Sequence, residues 1–151
     1  EENLMAITAP FHGRTTEFHI TTSISGTISA STKVAEVDDI SALELSRATV
    51  DLLSYGDDDM RKLVGAKDNG SITVSLNWSP GDTDHDALAT AFVDGTLDTY
   101  AIQWVSGGET ARADFSAFVT SYGVAHPKED KVACTIELTI SGPVTFDLTP
   151  A

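Results

Sequence analysis

The sequence predicts a mainly β protein, an antiparallel β-sandwich or barrel with one packed α-helix. Several segments of strand length alternate hydrophobic and polar residues, and this period of two is typical of strands with one buried face. Gly and Pro separate these segments, as turns do in sandwiches and barrels. With 151 residues, 41% of them hydrophobic, the chain has the size and composition of one globular domain. We therefore expect one β domain over residues 17–151, preceded by an N-terminal arm, residues 1–16, in which periodicity is weak.

Seven segments are expected to form strands. They are residues 18–28, 33–37, 43–50, 71–78, 100–104, 111–121 and 132–140. The clearest is 71–78, whose apolar side consists of Ile72, Val74, Leu76 and Trp78. The same parity argument predicts that Trp78 and Trp104 belong to the core, and that Cys134 lies on a buried face.

One helix is predicted after the turn residues 79–82. Thr83 is expected to cap its first turn, and Asp84 and Asp86 then lie near the positive end of the helix dipole. Gly95 is well placed to end it. The apolar stripe expected to pack on the sheet consists of Leu88, Ala91 and Phe92.

The stretch between residues 53 and 69 shows little alternation and is expected to be a long irregular loop. Loops of this length in a small β domain are uncommon and are usually functional or disordered. An acidic block, residues 57–59, precedes a basic block, Arg61 and Lys62. Separate blocks of opposite charge suit docking to another copy of the same molecule, although a flexible hairpin loop is an alternative.

The charge and the motifs exclude several classes of function. A net charge of −14 argues against a nucleic-acid binder, which would need Lys and Arg against phosphates. No apolar stretch is long enough to cross a membrane, and the single cysteine excludes an internal disulfide. The four histidines are scattered, and no nucleophile, phosphate-binding or metal-binding motif is present. We expect no catalytic residue, no metal and no cofactor, and therefore no enzyme.

Two acidic runs have structural interpretations. Residues 82–86 lack the glycine and the distal glutamate of a calcium loop, so helix capping explains them better. Residues 57–59 could gather a divalent cation, but adjacent acids on an exposed loop are usually solvated.

Four segments, taken in order, resemble the tail tube protein family of long, non-contractile phage tails, the lambda kind in particular. They are residues 43–51, 65–78, 100–121 and 131–142. The most specific feature is the succession of a Gly turn, a strand, the run Trp-Ser-Pro-Gly-Asp at 78–82, and a helix. The resemblance covers about residues 33–146, a whole domain, without the extra C-terminal domain of the lambda-type relative.

The resemblance implies a structural protein of the virion tail, assembled in the host cytoplasm. Family members stack as hexameric rings around a tape-measure protein and then leave a channel through which the genome passes. The implied partners are other copies of this chain, the tape-measure protein, and the tail terminator and tail tip proteins. DNA would pass without specific binding, and no membrane partner is implied. The loop that reaches neighbouring subunits corresponds to residues 52–67, with the candidate contact residues Tyr55, Asp57, Asp58, Asp59, Arg61, Lys62 and Lys67.

The channel lining is expected on the polar side of two strands, because uncharged and acidic groups suit the passage of DNA. The candidates are Thr73, Ser75, Asn77, Thr135, Glu137 and Thr139. Three other interpretations stay open: a stand-alone β-sandwich binding or adhesion module, a hydrolase on a β scaffold, and a tube subunit of a contractile tail or secretion machine.

Overall fold

Nine β-strands and one α-helix form the part of the chain that the computed structural model describes, residues 13–21, 31–56, 58–106 and 108–147. The elements are β1 (Thr16–Thr21), β2 (Ser31–Lys33), β3 (Val37–Ile40), β4 (Ser46–Leu52), β5 (Arg61–Asp68), β6 (Ser71–Asn77), α1 (Thr83–Asp94), β7 (Asp98–Ser106), β8 (Glu109–Ala125) and β9 (Ala133–Asp147). A 3-10 turn, Gly13–Thr15, precedes β1. Every described strand pair is antiparallel, as predicted.

Seven of these strands form one sheet in the order β2-β1-β7-β8-β9-β6-β3. The two edge strands, β2 and β3, are consecutive in the chain and are joined by residues 34–36 alone. The sheet therefore has to curl so that the end of β2 and the start of β3 come close together. The connection is tied to both sides, because Val34 donates its amide to the Phe18 carbonyl at 2.9 Å and Asn77 donates its amide to the Glu36 carbonyl at 2.8 Å. The predicted sandwich or barrel class is confirmed.

The long strands β8 and β9 run through both halves of this sheet. The first half of β8 pairs with β7, from Ser106↔Glu109 to Asp98↔Ala117. Its second half, residues 118–125, pairs with β9 and with no other strand in the described ranges. We call the unit made of residues 118–125, residues 133–140 of β9, β6 and β3 the four-stranded half-sheet. Register shifts near Ala117 and Val119 separate the two halves, since bulges bend a strand.

The core lies between the curled faces of the sheet. The alternation predicted for β6 is confirmed, since Ile72, Val74 and Leu76 are at most 1% exposed. Cys134 and its apolar neighbours on β9 are buried opposite them, as the sequence predicted. Other core side chains are Phe18, Tyr100, Ile102, Phe115, Ile136 and Leu138. Burial of each large side chain is worth about 1.5–3 kcal/mol, so this core accounts for folding without a disulfide or metal.

Helix α1 packs against β8, and Leu88 and Ala91 of its predicted apolar stripe are buried. His85 is buried too, and its ring contacts the Ala35 carbonyl at 2.9 Å and accepts a hydrogen bond from the Ser79 amide at 3.2 Å. Phe92, predicted in the same stripe, is 43% exposed, although its ring stacks on Tyr122 with centroids 6.4 Å apart. The N-cap is Asp82 and not Thr83. An Asp82 carboxylate oxygen accepts hydrogen bonds from the amides of residues 84 and 85 at 3.0 and 3.3 Å, whereas Thr83 is already helical. Gly95 ends the helix in the left-handed region at φ 66°, as expected.

A buried polar network, which the sequence did not predict, ties β8 to β1 and β2. Arg112 and Asp114 are both fully buried and form an ion pair at 2.8 Å. The Arg112 guanidinium also donates to the Ser31 hydroxyl at 2.9 Å, and that hydroxyl lies 3.2 Å from Nδ1 of His19. The other His19 nitrogen contacts Glu17 at 3.0 Å. Burial lowers the pKa of His19, and the Glu17 carboxylate offsets this lowering in part.

Several predicted boundaries differ from the structure. The strand predicted at 33–37 contains the turn at 34–36, in which Glu36 has a φ of 59°. The strand predicted at 43–50 begins only at Ser46. The first predicted strand ends at Thr21, and its remainder lies outside the described residues. The proposed N-terminal arm falls mostly outside them too and stays a prediction.

The two tryptophans are less buried than the alternation predicted. Trp78 follows the end of β6 and is 39% exposed, because the strand stops one residue before it. Trp104 is half-buried at the edge of the core. Neither ring is part of a fully exposed aromatic platform.

Candidate assembly surface

The segment predicted as an irregular loop is half of a β-hairpin. β4 and β5 pair with each other and with no other described strand. Every residue of both strands is exposed except Gly65, which is intermediate. The alternation that marks a strand is absent from β5 because neither of its faces is buried in the subunit. A two-stranded hairpin is marginally stable on its own, and among the described strands no third one pairs with this hairpin.

The two faces of the hairpin differ in polarity. The pairs Val50↔Leu63 and Thr49↔Val64 show which residues share a face, since directly opposite residues point the same way. We call one side the apolar face; it carries Ala48, Val50, Leu52 and Leu63, with Arg61 opposite Leu52 at the tip end. Its three large side chains are 42–54% exposed. The other side is the charged face, which carries Arg47, Asp51, Lys62 and Lys67 along with Thr49 and Val64.

The tip of the hairpin, residues 53–60, combines apolar and acidic groups. Tyr55 is fully exposed, and Leu53 and Met60 are 68% and 55% exposed. Asp58 and Asp59 are exposed, while Asp57 lies outside the described residues. The predicted basic block is engaged locally: Arg61 donates to Ser54 at 3.3 Å, and Lys62 pairs with Asp51 at 2.8 Å.

The base of the hairpin forms a shallow pocket of about 290 Å³, which we call the basic pocket. It is lined by Leu45, Ser46, Arg47, Lys67, Asn69, Val144 and Phe146. Arg47 and Lys67 are directly opposite each other on the charged face. The sequence singled out Lys67 as a contact residue but not Arg47, whose role depends on the cross-strand register.

The six candidate lining residues lie on one face of the four-stranded half-sheet, opposite the core. Register pairs Thr73 with Glu137 and Ser75 with Thr135. The three β9 members are exposed, and the three β6 members are intermediate. Thr139 extends the hydroxyl surface to β8, where its Oγ1 lies 3.1 Å from that of Thr120. The structure therefore brings the six residues together on a hydroxyl-rich surface, whose charged residues include Glu137 and the exposed Asp39 of β3, directly opposite Ser75.

The half-sheet has two open edges. On one side β3 pairs only with β6, and on the other residues 118–125 pair only with β9, among the strands that the structure describes. Unpaired strand edges present free amides and carbonyls to another chain.

The described residues provide little for catalysis. No group of three or more His, Cys, Asp or Glu side chains in the described ranges is placed to hold a metal ion. Cys134 is buried, and burial raises the pKa of its thiol, so it is a core residue and not an activated nucleophile. Among the residues that the structure covers, no helix combines the length and apolarity required to cross a bilayer.

Solved structures first define the class of protein. The chain shares its fold with a chain of the sheath-tube complex of an extracellular contractile injection system, with TM-score 0.71 and 16% identity over 99% of both chains. It also shares it with the SPP1 tail tube, with TM-score 0.69 and 15% identity over 94% of this chain and 81% of that one. A protein of the virion of a gene transfer agent matches with TM-score 0.68 and 16% identity, and the match covers 91% of this chain and 99% of that one. The fold is that of tube-forming tail proteins.

A family model then identifies the family. Residues 18–146 match the lambda phage tail tube protein family, and the chain belongs to it. No curated protein sequence matches the chain significantly. The resemblance inferred from the sequence is confirmed, and with it the role of a structural tube subunit of a phage tail. The contractile machines share the fold, while the family match is to the lambda kind.

Proposed function

We propose that this chain is the major tube subunit of a long phage tail, that it closes into hexameric rings, and that the stacked rings conduct DNA. In this role it is not an enzyme and needs no cofactor. The observation that carries the proposal is the exposed β4–β5 hairpin, whose apolar face is left exposed by the part of the chain that the structure describes. Large exposed apolar surfaces mark interaction sites. In a polymer, neighbouring subunits would bury this apolar face.

Ring closure follows from the two open edges of the half-sheet. β3 and residues 118–125 lie on opposite sides, so the edge of one copy can pair with the other edge of the next copy. Such a head-to-tail contact generates a closed ring when a whole number of equal rotations between neighbouring copies adds up to one full turn. Six-fold closure is supported by a gene transfer agent tail of this fold that was solved with C6 symmetry. Ring closure would remove the exposed edges altogether.

The lumen would be lined by the hydroxyl-rich face of the half-sheet. Its Thr and Ser side chains offer no positive charge to phosphates, and Glu137 repels them. The overall charge of −14 favours the same outcome, passage of DNA without binding. Before DNA enters, the same channel would hold the tape-measure protein.

The ends of the tube require further partners, which we propose to be a tail terminator and a tail tip protein. Chains of the same fold occur in solved structures of the sheath/tube terminator of a contractile injection system and of the tube-terminating cap of an anti-feeding prophage, which supports this proposal. Terminal proteins that share the fold of the subunit can cover the last ring with the contacts used between rings.

Negative-stain microscopy of the purified protein, beside a variant lacking residues 56–61, tests the tube. Rings or hollow tubes from the intact protein only, with equal far-UV circular dichroism of the two proteins, are expected. Monomers from both at high concentration, even with a tail-tip initiator present, would refute the proposal and favour a stand-alone binding module.

The lumen is tested by Glu137→Lys in a phage that carries the variant subunit. Its control, Asp94→Lys, makes the same charge change at an exposed position near the end of α1. Both variants should form tails of normal length, and only Glu137→Lys should slow DNA release after the trigger. Release at the normal rate from Glu137→Lys tails would contradict this lining.

A further inference from the structure

We propose that the hairpin tip of one copy binds the basic pocket of a second copy, so that successive subunits are linked tip to base. The proposal rests on the proposed tube function and names the acceptor site for the hairpin. The donor groups are Tyr55, Asp58 and Asp59, and the acceptor groups are Arg47, Lys67 and Phe146.

The acceptor site contains two cations that have no acidic partner among the described residues. Arg47 and Lys67 are directly opposite on the hairpin, an arrangement in which like charges destabilise a strand pair. Four of the nine Lys and Arg side chains form ion pairs in the described ranges, namely Lys33, Lys62, Arg112 and Lys131. Arg47 and Lys67 form none there. In a chain of net charge −14, two adjacent free cations beside a pocket indicate a site for an anionic group.

The pocket also offers an apolar floor. Phe146 is 53% exposed and Leu45 41% exposed, and Val144 lies beside them. The tip carries the matching combination, because Tyr55 is fully exposed near Asp58 and Asp59, neither of which forms an ion pair with another described residue. If the Tyr55 ring packs on the apolar floor of the pocket, the neighbouring aspartates of the tip come close to Arg47 and Lys67. Phosphate would match the charges but not the apolar floor.

The tip cannot reach the pocket of its own chain. Six residues of extended strand separate Arg47 from Leu53, which amounts to about 20 Å at roughly 3.3 Å per residue. A paired ribbon cannot fold back over this distance, so the occupant has to be another copy. Because donor and acceptor lie at opposite ends of one hairpin, each bound copy presents a fresh tip, and the contact propagates.

Charge reversal tests the contact. The acceptor variant Arg47→Glu/Lys67→Glu and the donor variant Asp58→Lys/Asp59→Lys should each raise the critical concentration for tube formation at least about tenfold. The four-fold variant that combines them should return to within about threefold of the wild type, and so should an equimolar mixture of the two double variants. Lys128→Glu, at an exposed cation in the β8–β9 connection, is the matched control and should assemble like the wild type.

Cysteine cross-linking tests the contact without requiring tubes. Ser46→Cys in the pocket and Ser54→Cys at the tip are nearly isosteric changes. Their Cα atoms lie about 26 Å apart within one chain, so any disulfide has to join two copies. Oxidation should give a ladder of oligomers on a non-reducing gel. The pair Ser54→Cys and Ser121→Cys, with the second thiol on the half-sheet, should not.

The two experiments separate the proposals. Tubes from the wild type with no ladder, or a four-fold variant that stays monomeric, would overturn the tip-to-base contact and leave the tube function standing. A ladder without tubes would support the contact and refute stacking. Loss of binding to a short DNA duplex at low salt in Arg47→Glu/Lys67→Glu, without a change in assembly, would show a phosphate site and overturn the proposal.

Discussion

Replacement of a single methyl group on the apolar face of the hairpin should weaken assembly without weakening the subunit. Val50 is 53% exposed in the subunit, and Val→Thr keeps both the shape and the strand preference of the side chain. Full burial of a valine is worth about 1.5–3 kcal/mol. About half of this, roughly 0.8–1.5 kcal/mol, remains to be gained on assembly. Threonine keeps one methyl group but has to desolvate its hydroxyl, so we expect Val50→Thr to lose about this amount and to raise the critical concentration about 4- to 12-fold.

The hairpin supplies a control of the same chemistry. Val64 is 63% exposed but lies on the charged face, so Val64→Thr should change the critical concentration much less. A second substitution on the apolar face, Leu63→Thr, should add to Val50→Thr and bring the total to roughly 15- to 150-fold. Because these side chains are exposed in the free subunit, its free energy of unfolding should stay within about 0.5 kcal/mol.

Pelleting by ultracentrifugation over a concentration series measures the critical concentration, and urea unfolding of the unassembled subunit measures its stability. Equal effects of Val50→Thr and Val64→Thr would refute the assignment of the apolar face as the buried one. A loss of subunit stability as large as the loss of assembly would show that the hairpin packs within its own chain.

Three further predictions concern the subunit itself. Arg112→Met should cost about 3–5 kcal/mol of unfolding free energy, because it leaves Asp114 charged in the core, and Arg112→Met/Asp114→Leu should recover most of it; a double variant as unstable as the single one in urea would contradict this. Asp82→Ala should cost about 1 kcal/mol through loss of the two N-cap hydrogen bonds, while Thr83→Ala should cost less, and the reverse order would restore Thr83 as the cap. Since burial lowers the pKa of His19 in the fold, the unfolded state binds the proton more tightly, and stability should be full above about pH 6.5 and fall as the pH drops through the folded pKa. Urea unfolding at pH 7.5 and 5.5 should show this loss, and His19→Gln should reduce it; an equal loss in His19→Gln would assign it to other groups.

The parts of the fold that the sequence predicted are those with one face buried. Strand β6 and the first half of β9 alternate because Ile72 and Leu138 lie in the core while Thr73 and Glu137 do not. The helix was predicted because its ends have local signals, although Asp82 and Thr83 are equally good caps in a sequence and only the backbone decides between them. β5 escaped detection because a ribbon with no buried face has no reason to alternate.

The sequence analysis selected the segment in which the candidate site lies, but it expected an irregular loop there and not a β-hairpin. The acidic and basic blocks of the tip are visible in the sequence, whereas the pairing of Arg47 with Lys67 depends on a register shift in the hairpin. The buried pair of Arg112 and Asp114 was missed for a related reason. Charged residues two apart on a strand normally indicate a solvated face, and only the curled sheet shows that this face is covered.

The length of β8 and β9 has a mechanical consequence. Their ladder runs from Arg112↔Asp147 to Ala125↔Ala133, with the two register shifts near Ala117 and Val119. A pull along the strands has to shear this ladder as a whole, because its hydrogen bonds lie perpendicular to the force and share it. A force perpendicular to the strands would break the hydrogen bonds one after another. The subunit is therefore stiff against tension along β8 and β9, and a tube of such subunits would yield at the joints between copies before the subunits themselves unfold.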